Sequence, residues 1–253
     1  MHTQGDKVSF LLLHGLLCDG DTWAHLIGPL SRLGPVTVAQ LTGIDSLPQA
    51  ATDALASIPG PLVVIGHSMG GRVALEIARQ APKRCAGLVL MNTGYKPLAE
   101  GETERRMALV DAARSGGIAA IVAPWLDTLI APATVQNTRL MDAMRTMVLR
   151  SSPESFAGQI HALIHRPDAT DVLGQTRCPT LLLSGSEDSW SPLSRHHEMA
   201  ALMPGNPEVE AIPRAGHMAP FEEPEACTAA ILAWLARHDL AHPPMVPGEP
   251  GAA

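Results

Sequence analysis

Aromatic side chains are scarce: four Trp, three Phe and one Tyr in 253 residues. Core and pocket must therefore be built mainly from Leu, Ile, Val, Ala and Met. No apolar run approaches the roughly 18 residues needed to span a bilayer. The opening Met-His-Thr-Gln-Gly-Asp-Lys has no apolar signal region, so a cytoplasmic protein is expected, with no membrane partner. Nor is there a basic stripe. With a formal charge of −7, the chain is a poor match for nucleic acid or an anionic membrane surface. The four cysteines, Cys18, Cys85, Cys178 and Cys227, form no CxxC pair and read as reduced, mostly buried thiols.

What is present is an ordinary globular balance, 46% apolar and 17% charged, at a length that suits one domain with an insertion. Short apolar runs without polar alternation stand at 8–13, 36–39, 62–65, 87–91, 180–184 and 209–212. They read as strands covered on both faces. Helical patterns lie between them, near 22–33, 47–58, 69–80, 191–203 and 224–238. This alternation predicts an α/β fold, a mostly parallel sheet of about six or seven strands with helices on both faces. From 96 to 175 the rhythm breaks into helical periodicity alone, with helices expected over 101–115, 118–130, 133–150 and 153–165. The expected organisation is a core of 1–95 and 176–240, an all-helical cap of 96–175, and a loose Pro/Gly/Ala-rich tail of 241–253. Insertions at the carboxyl ends of α/β strands lie where ligands bind, so the cap is a candidate lid.

The chemistry centres on Gly66-His67-Ser68-Met69-Gly70-Gly71, which follows an apolar strand and opens an amphipathic helix. A strand-to-helix turn of this kind exposes the Ser68 hydroxyl. The flanking glycines lack side chains that would collide across the turn, and the helix N-terminus faces developing negative charge. A serine hydroxyl is a weak nucleophile until a base takes its proton. His217, in a loop after the last strand, is the best candidate base. His67 adjoins Ser68 but should point elsewhere. His161 and His165 are spaced for a shared metal, yet no third ligand accompanies them, so no metal is expected. His196 and His197 read as positions on a solvated helix. Asp188, just past the fifth strand, is the expected orienting acid, with Glu187 as rival. Asn92 holds another edge position without the charge. The order Ser…Asp…His is that of a nucleophile-elbow hydrolase.

Oxyanion donors are expected from the backbone N–H of Met69, directly after the nucleophile, and of Leu16, in the loop after the first strand. His14 should brace that loop. Candidate pocket walls are Leu16, Leu17, Trp23, Met69, Trp125, Leu129, Met144, Trp190 and Met218. Met144 also belongs to a Met141/Met144/Met147 stripe that suits core packing. Such a wall favours small or medium apolar substrates, and no Arg/Lys cluster near the motifs calls for a polyanionic one.

The four segments His14-Gly15, Gly66–Gly71, Gly185-Ser-Glu-Asp188 with Pro192, and Gly216-His217 closely resemble the α/β-hydrolase superfamily, in its small bacterial branch with a helical cap. The resemblance covers about residues 8–238. Relatives of this look include carboxylesterases, enol-lactonases, carbon–carbon bond hydrolases and cofactor-free haloperoxidases or perhydrolases. Haloalkane dehalogenases are similar but carry Asp at the place of Ser68. The resemblance implies a Ser68–His217–Asp188 triad acting on a small-molecule ester or lactone, with no metal or organic cofactor, in a monomer or homodimer. Carbon–carbon bond cleavage, perhydrolysis and a ligand-receptor role on the same fold stand as alternatives. The short segment before the first strand implies a sheet trimmed of the N-terminal hairpin usual in relatives.

Overall fold

In a computed structural model of the chain, residues 8–240 are described. The tail expected over 241–253 lies outside them. The six apolar runs form six strands: β1 Ser9–Leu13, β2 Val36–Val38, β3 Leu62–His67, β4 Cys85–Met91, β5 Thr180–Gly185 and β6 Glu208–Ile212. They pair in parallel in the order β2-β1-β3-β4-β5-β6. Every residue of β3 and β5 is buried, which is why these runs show no polar alternation.

Among the described residues, twelve α-helices connect and cover the strands. They are α1 Ala24–Ser31, α2 Leu47–Ser57, α3 Met69–Gln80, α4 Glu102–Gly116, α5 Ala119–Leu126, α6 Pro132–Val135, α7 Thr138–Leu149, α8 Pro153–Ile164, α9 Thr170–Gln175, α10 Leu193–Leu202, α11 Ala219–Glu222 and α12 Pro224–Arg237. Strand order fixes their faces. The path steps from β1 out to β2, then back across β1 to β3, and parallel crossovers are right-handed. The crossover through α1 therefore lies on one face, and those through α2, α3 and α10 on the other. The core divides accordingly. Phe10, Leu12, Val63, Ile65 and Val89 pack with Trp23, Leu26, Leu30 and Trp234 beside α1 and α12. The alternate residues Leu11, Leu13, Val64, Leu88 and Leu90 pack under α2, α3 and α10. The reversal of direction between β1 and β3 opens a crevice at their carboxyl ends, the usual ligand position in open α/β sheets.

Helices α4 to α9 form an all-helical insertion between β4 and β5. Val110, Ile121, Trp125, Met144, Phe156 and Ile160 bury their side chains in the same apolar cluster as α2 and α3. The helix expected over 133–150 is broken in two. Asn137 interrupts it by accepting from the N–H of Leu140 at 3.2 Å, so it caps a fresh helix, α7. Ser152 does the same for α8, accepting from Ser155 N–H, with Pro153 in the first turn.

Candidate active site

Ser68 sits between β3 and α3 with φ 54° and ψ −116°. A non-glycine residue held there costs about 1–3 kcal/mol of backbone strain. Neighbours hold the turn in place. Ser68 N–H donates to Met91 O at 2.9 Å, while its carbonyl accepts from Gly71 N–H at 3.0 Å and from the Thr93 hydroxyl at 2.7 Å. A Cβ at Gly70 would lie 2.0 Å from Leu13 O, so only glycine lets α3 start against β1.

The Ser68 hydroxyl donates to His217 Nε2 at 2.8 Å. On the other side of the ring, His217 Nδ1 donates to Asp188 Oδ2 at 2.9 Å. The acceptor-only carboxylate assigns the proton to Nδ1 and leaves Nε2 free to accept. Asp188 is 4% exposed. Its other oxygen accepts from Trp190 N–H at 2.8 Å and Ser191 N–H at 2.9 Å, and Oδ2 also accepts from the Asn92 amide at 2.8 Å. Burial alone would raise the Asp188 carboxyl. The His217 charge and hydrogen bond, the Asn92 amide and the Ser191 N–H outweigh it and hold the group well below the usual carboxylate range. Glu187, the rival acid, points to solvent.

His67 faces away from the hydroxyl. Its Nε2 donates to the carbonyl of His217 at 2.8 Å. Burial pushes it down to about 3, so it is neutral and pins the backbone of His217. His14 braces the loop after β1: Nδ1 bonds Gly15 O at 3.0 Å, and Nε2 accepts from Leu41 N–H at 3.4 Å. Cys18 is buried, and burial pushes its thiol up to about 12, which leaves it inert.

Leu16 and Met69 line a cavity of about 770 Å³ that contains Ser68 and His217. Trp125, Leu129 and Trp190 line it as well. The other four expected wall residues do not. Trp23 packs on the opposite face of the sheet, because the crossover after β1 goes there. Leu17 turns at φ 58° and is buried beside the loop, its N–H held at 3.1 Å by Gln159 Oε1. Met144 is fully buried among the helices of the insertion. Met218 lies beneath the histidine loop with its N–H held by Glu222.

Three contributions were not foreseen. Gln159 of α8, 1% exposed, bridges from Leu17 N–H to Leu41 O and fixes the loop that presents Leu16. His196 is buried, not solvated as expected. Its Nε2 accepts from Thr93 N–H at 3.4 Å, and burial pushes it down to about 4. Finally, the cavity is not apolar throughout. Beyond the serine it is lined by Arg72, Lys96, Arg105, Arg106, Arg166 and Arg195, with Glu102 as the lining carboxylate. Folding gathers these cations from α3, the loop after β4, α4, the loop after α8 and α10, so apart from the adjacent Arg105 and Arg106 no local sequence cluster announced them. The expectation that no Arg/Lys cluster calls for a polyanionic substrate rested on the residues near the motifs and did not register this lining.

A hydroxyl bonded to an imidazole that is held by a buried carboxylate is the arrangement of a base-activated nucleophile. Among the described residues, no group of three His, Cys, Asp or Glu is placed to hold a metal ion. Among them too, no helix is long and apolar enough to cross a membrane.

The chain is similar to known hydrolases over most of its length. A thermophilic esterase from Thermogutta terrifontis, solved with malate bound, is 30% identical and superposes with a TM-score of 0.84, covering 93% of this chain and 92% of that one. The pimeloyl-[acyl-carrier protein] methyl ester esterase of Nitrosomonas europaea is 26% identical over 87% of this chain and 92% of its own length. The biotin biosynthesis bifunctional protein BioHC of Cellvibrio japonicus is 24% identical over 87% of this chain, which spans 46% of that longer protein. Residues 10–230 match the family model described as the alpha/beta hydrolase family, and the chain belongs to that family.

Proposed function

We propose that this hydrolase cleaves carboxylic esters or lactones through an acyl-enzyme on Ser68. The observation that carries the reading is the continuous hydrogen-bonded line Ser68–His217–Asp188 beside a cavity of small-molecule size. Ser68 Oγ adds to the carbonyl carbon while His217 Nε2 takes its proton. The resulting oxyanion is received by the N–H groups of Leu16 and Met69. His217 then gives the proton to the departing alkoxide oxygen as the C–O bond breaks, which leaves the acyl group on Ser68. Water, deprotonated by His217, adds to the acyl carbon. Collapse of that adduct returns the proton to Ser68 and releases the acid. In a lactone the alcohol and the acid leave as one molecule. Asp188 stays ionised throughout, keeps the Nδ1 tautomer and stabilises the imidazolium.

The apolar part of the cavity, from Leu16, Met69, Leu109, Trp125, Leu129, Ile160 and Leu163, suits a small or medium acyl chain. The esterase names of two similar proteins support the same reading. The test is a p-nitrophenyl ester series from acetate to decanoate, with Ser68→Ala in parallel. Turnover that peaks at short or medium chains, and falls by about 10⁴-fold or more in Ser68→Ala, is the expected result. Absence of turnover with every ester, in folded protein, would sink the reading.

A further inference from the structure

The protein as a whole is acidic, at −7, yet the lining of this one cavity carries six cationic side chains and one carboxylate. That carboxylate is already taken. Glu102 accepts from Arg106 Nε at 2.8 Å and from Arg166 Nη1 and Nη2 at 2.8 and 2.6 Å, so two guanidiniums share it. Lys96 is paired outside the cavity with Glu198 at 2.8 Å. Arg72, Arg105 and Arg195 are left, and of these Arg105 is exposed on α4 while Arg72 and Arg195 lie deeper. Arg72 donates to the backbone carbonyl of Lys96 at 3.1 Å; Arg195 donates to Trp190 O at 2.6 Å and to the Ser191 hydroxyl at 3.2 Å. Neither has a carboxylate partner among the described residues. Both are partly buried, and both converge on Gly94: Arg72 Nη2 and Arg195 Nη1 lie within 3.5 Å of the point where a Cβ on that residue would stand.

Two guanidiniums brought together out of bulk water, without a carboxylate paired to either, cost free energy through desolvation and mutual repulsion. Burial, then the charges of Arg166, Arg106 and Arg195, draw Arg72 down to about 9, with Glu102 offsetting part. An anion seated between them would relieve both terms. The planar fork of arginine matches a carboxylate, and a partly enclosed site screens the pairing less than open water does. Position adds the link to chemistry. Arg72 is four residues after Ser68, one turn along α3, so its Cα lies roughly 6 Å further along the helix axis and on the same side.

We propose that Arg72 and Arg195 form an anion-binding end of the active-site cavity, and that the ester cleaved at Ser68 carries a carboxylate a few carbons from the scissile carbonyl. The inference rests on the serine-hydrolase reading for the cleavage step, but the anion site itself does not.

The test uses two matched pairs of esters. Methyl hexanoate against monomethyl adipate places the carboxylate on the acyl side. Phenyl acetate against para-acetoxybenzoate places it on the alcohol side. In the wild-type protein, kcat/KM for the anionic member of one pair exceeds that of its neutral partner by about tenfold or more, and added salt at about 0.5 M shrinks the ratio. The discriminating pair identifies the side. In Arg72→Gln and in Arg195→Gln the ratio falls by about tenfold, chiefly through KM; Arg72→Lys keeps part of it. Preference for the neutral member in both pairs, or ratios unchanged in both glutamine variants, overturns the proposal. Calorimetry with adipate separates this outcome from failure of the serine reading. Adipate bound by Ser68→Ala, and not by Ser68→Ala with Arg72→Gln, supports the anion end even if no ester is turned over. Turnover of neutral esters without adipate binding or anionic preference overturns the anion end and leaves the serine reading standing.

Discussion

Glu222 has four hydrogen-bond donors around one carboxylate. Oε1 accepts from Gly216 N–H at 2.9 Å and Met218 N–H at 3.1 Å, one on each side of His217. Oε2 accepts from Ala131 N–H at 2.8 Å and the Thr134 hydroxyl at 2.9 Å, both in the helical insertion. One side chain thus ties the histidine loop to the insertion. Burial raises the Glu222 carboxyl, and the donors from Ala131, Thr134, Gly216 and Met218 pull against it. The folded protein therefore binds this proton more tightly than the unfolded chain does. Above the ordinary Glu range of about 4.3, the buried charge costs stability as pH rises toward the folded-state value, and the four donors limit that cost.

Glu222→Gln preserves the shape and replaces one oxygen by NH2. The amide oxygen can serve one pair of donors and not both. The Thr134 hydroxyl can rotate to accept, but at least one backbone N–H loses its acceptor, at about 1–3 kcal/mol when buried. The two retained bonds change from charged to neutral and weaken by about 1 kcal/mol each. Release of the buried charge offsets part of this, so a net loss of about 2 kcal/mol is expected at neutral pH. Urea unfolding measures it. Turnover of p-nitrophenyl butyrate should fall by about tenfold as well, because His217 is held between two of the four bonds. The stability gap should widen as pH falls through the folded-state protonation of Glu222, since the wild type gains stability there and the glutamine variant does not titrate at this position. A variant within about 0.5 kcal/mol of the wild type and of equal turnover would refute the reasoning.

Three further outcomes follow from the same geometry. Gly216→Ala should abolish most activity and destabilise the fold, because its Cβ would lie 2.6 Å from Ala131 N and 2.7 Å from Leu129 O; wild-type kcat and unfolding midpoint would contradict this. Asp188→Asn should lower kcat by about 10⁴-fold while leaving the fold intact, through loss of the tautomer-setting carboxylate, and a loss below about tenfold would remove Asp188 from the line. Burial lowers His67 to about 3, and His196 and His25 to about 4. The unfolded chain therefore protonates these rings first, and stability is complete only above the ordinary histidine value. It should fall below pH 6.5, by at most about 1.4 kcal/mol per ring per pH unit. Urea midpoints that stay flat from about pH 7.5 to 5.5 would speak against neutral burial of the rings.

The middle of the sheet was legible because β1, β3, β4 and β5 are parallel and covered on both sides, so each appears as a largely apolar run, while the edge strands β2 and β6 are half-buried and carry Thr37 and Glu210. Ser68, Asp188 and His217 were legible because each sits just past a strand at the same edge, in a segment with turn residues. Trp23 was misread because its face depends on strand order: only the return from β2 across β1 to β3 sends the residues after β1 to the α1 side. His196 was misread because burial on α10 is set by what packs there, and the local pattern does not reveal the contact with Thr93. Arg72 did leave a signal, since a residue four positions after the nucleophile lies on the same side of α3. Its partners Arg166 and Arg195 come from distant segments, and nothing in their spacing links them before the chain folds.

A freely swinging lid needs a boundary crossed by few bonds. The insertion does not have one on the histidine side. Leu129 O accepts from His217 N–H at 2.6 Å, Glu222 holds Ala131 and Thr134, and Gln159 holds Leu17 and Leu41. Lifting the helices at these points would displace the base and the loop of Leu16 together. The insertion is thus a fixed wall of the site along this edge. Entry is left to the side where Lys96, Pro97, Ala99 and Arg105 line the cavity and remain exposed. An anionic ester approaching a protein of net charge −7 meets repulsion over most of its surface and attraction at that mouth. Lys96 and Arg105 at the mouth would orient the approach of a carboxylate that Arg72 and Arg195 seat, so raising the ionic strength should slow capture of the anionic ester more than that of its neutral partner.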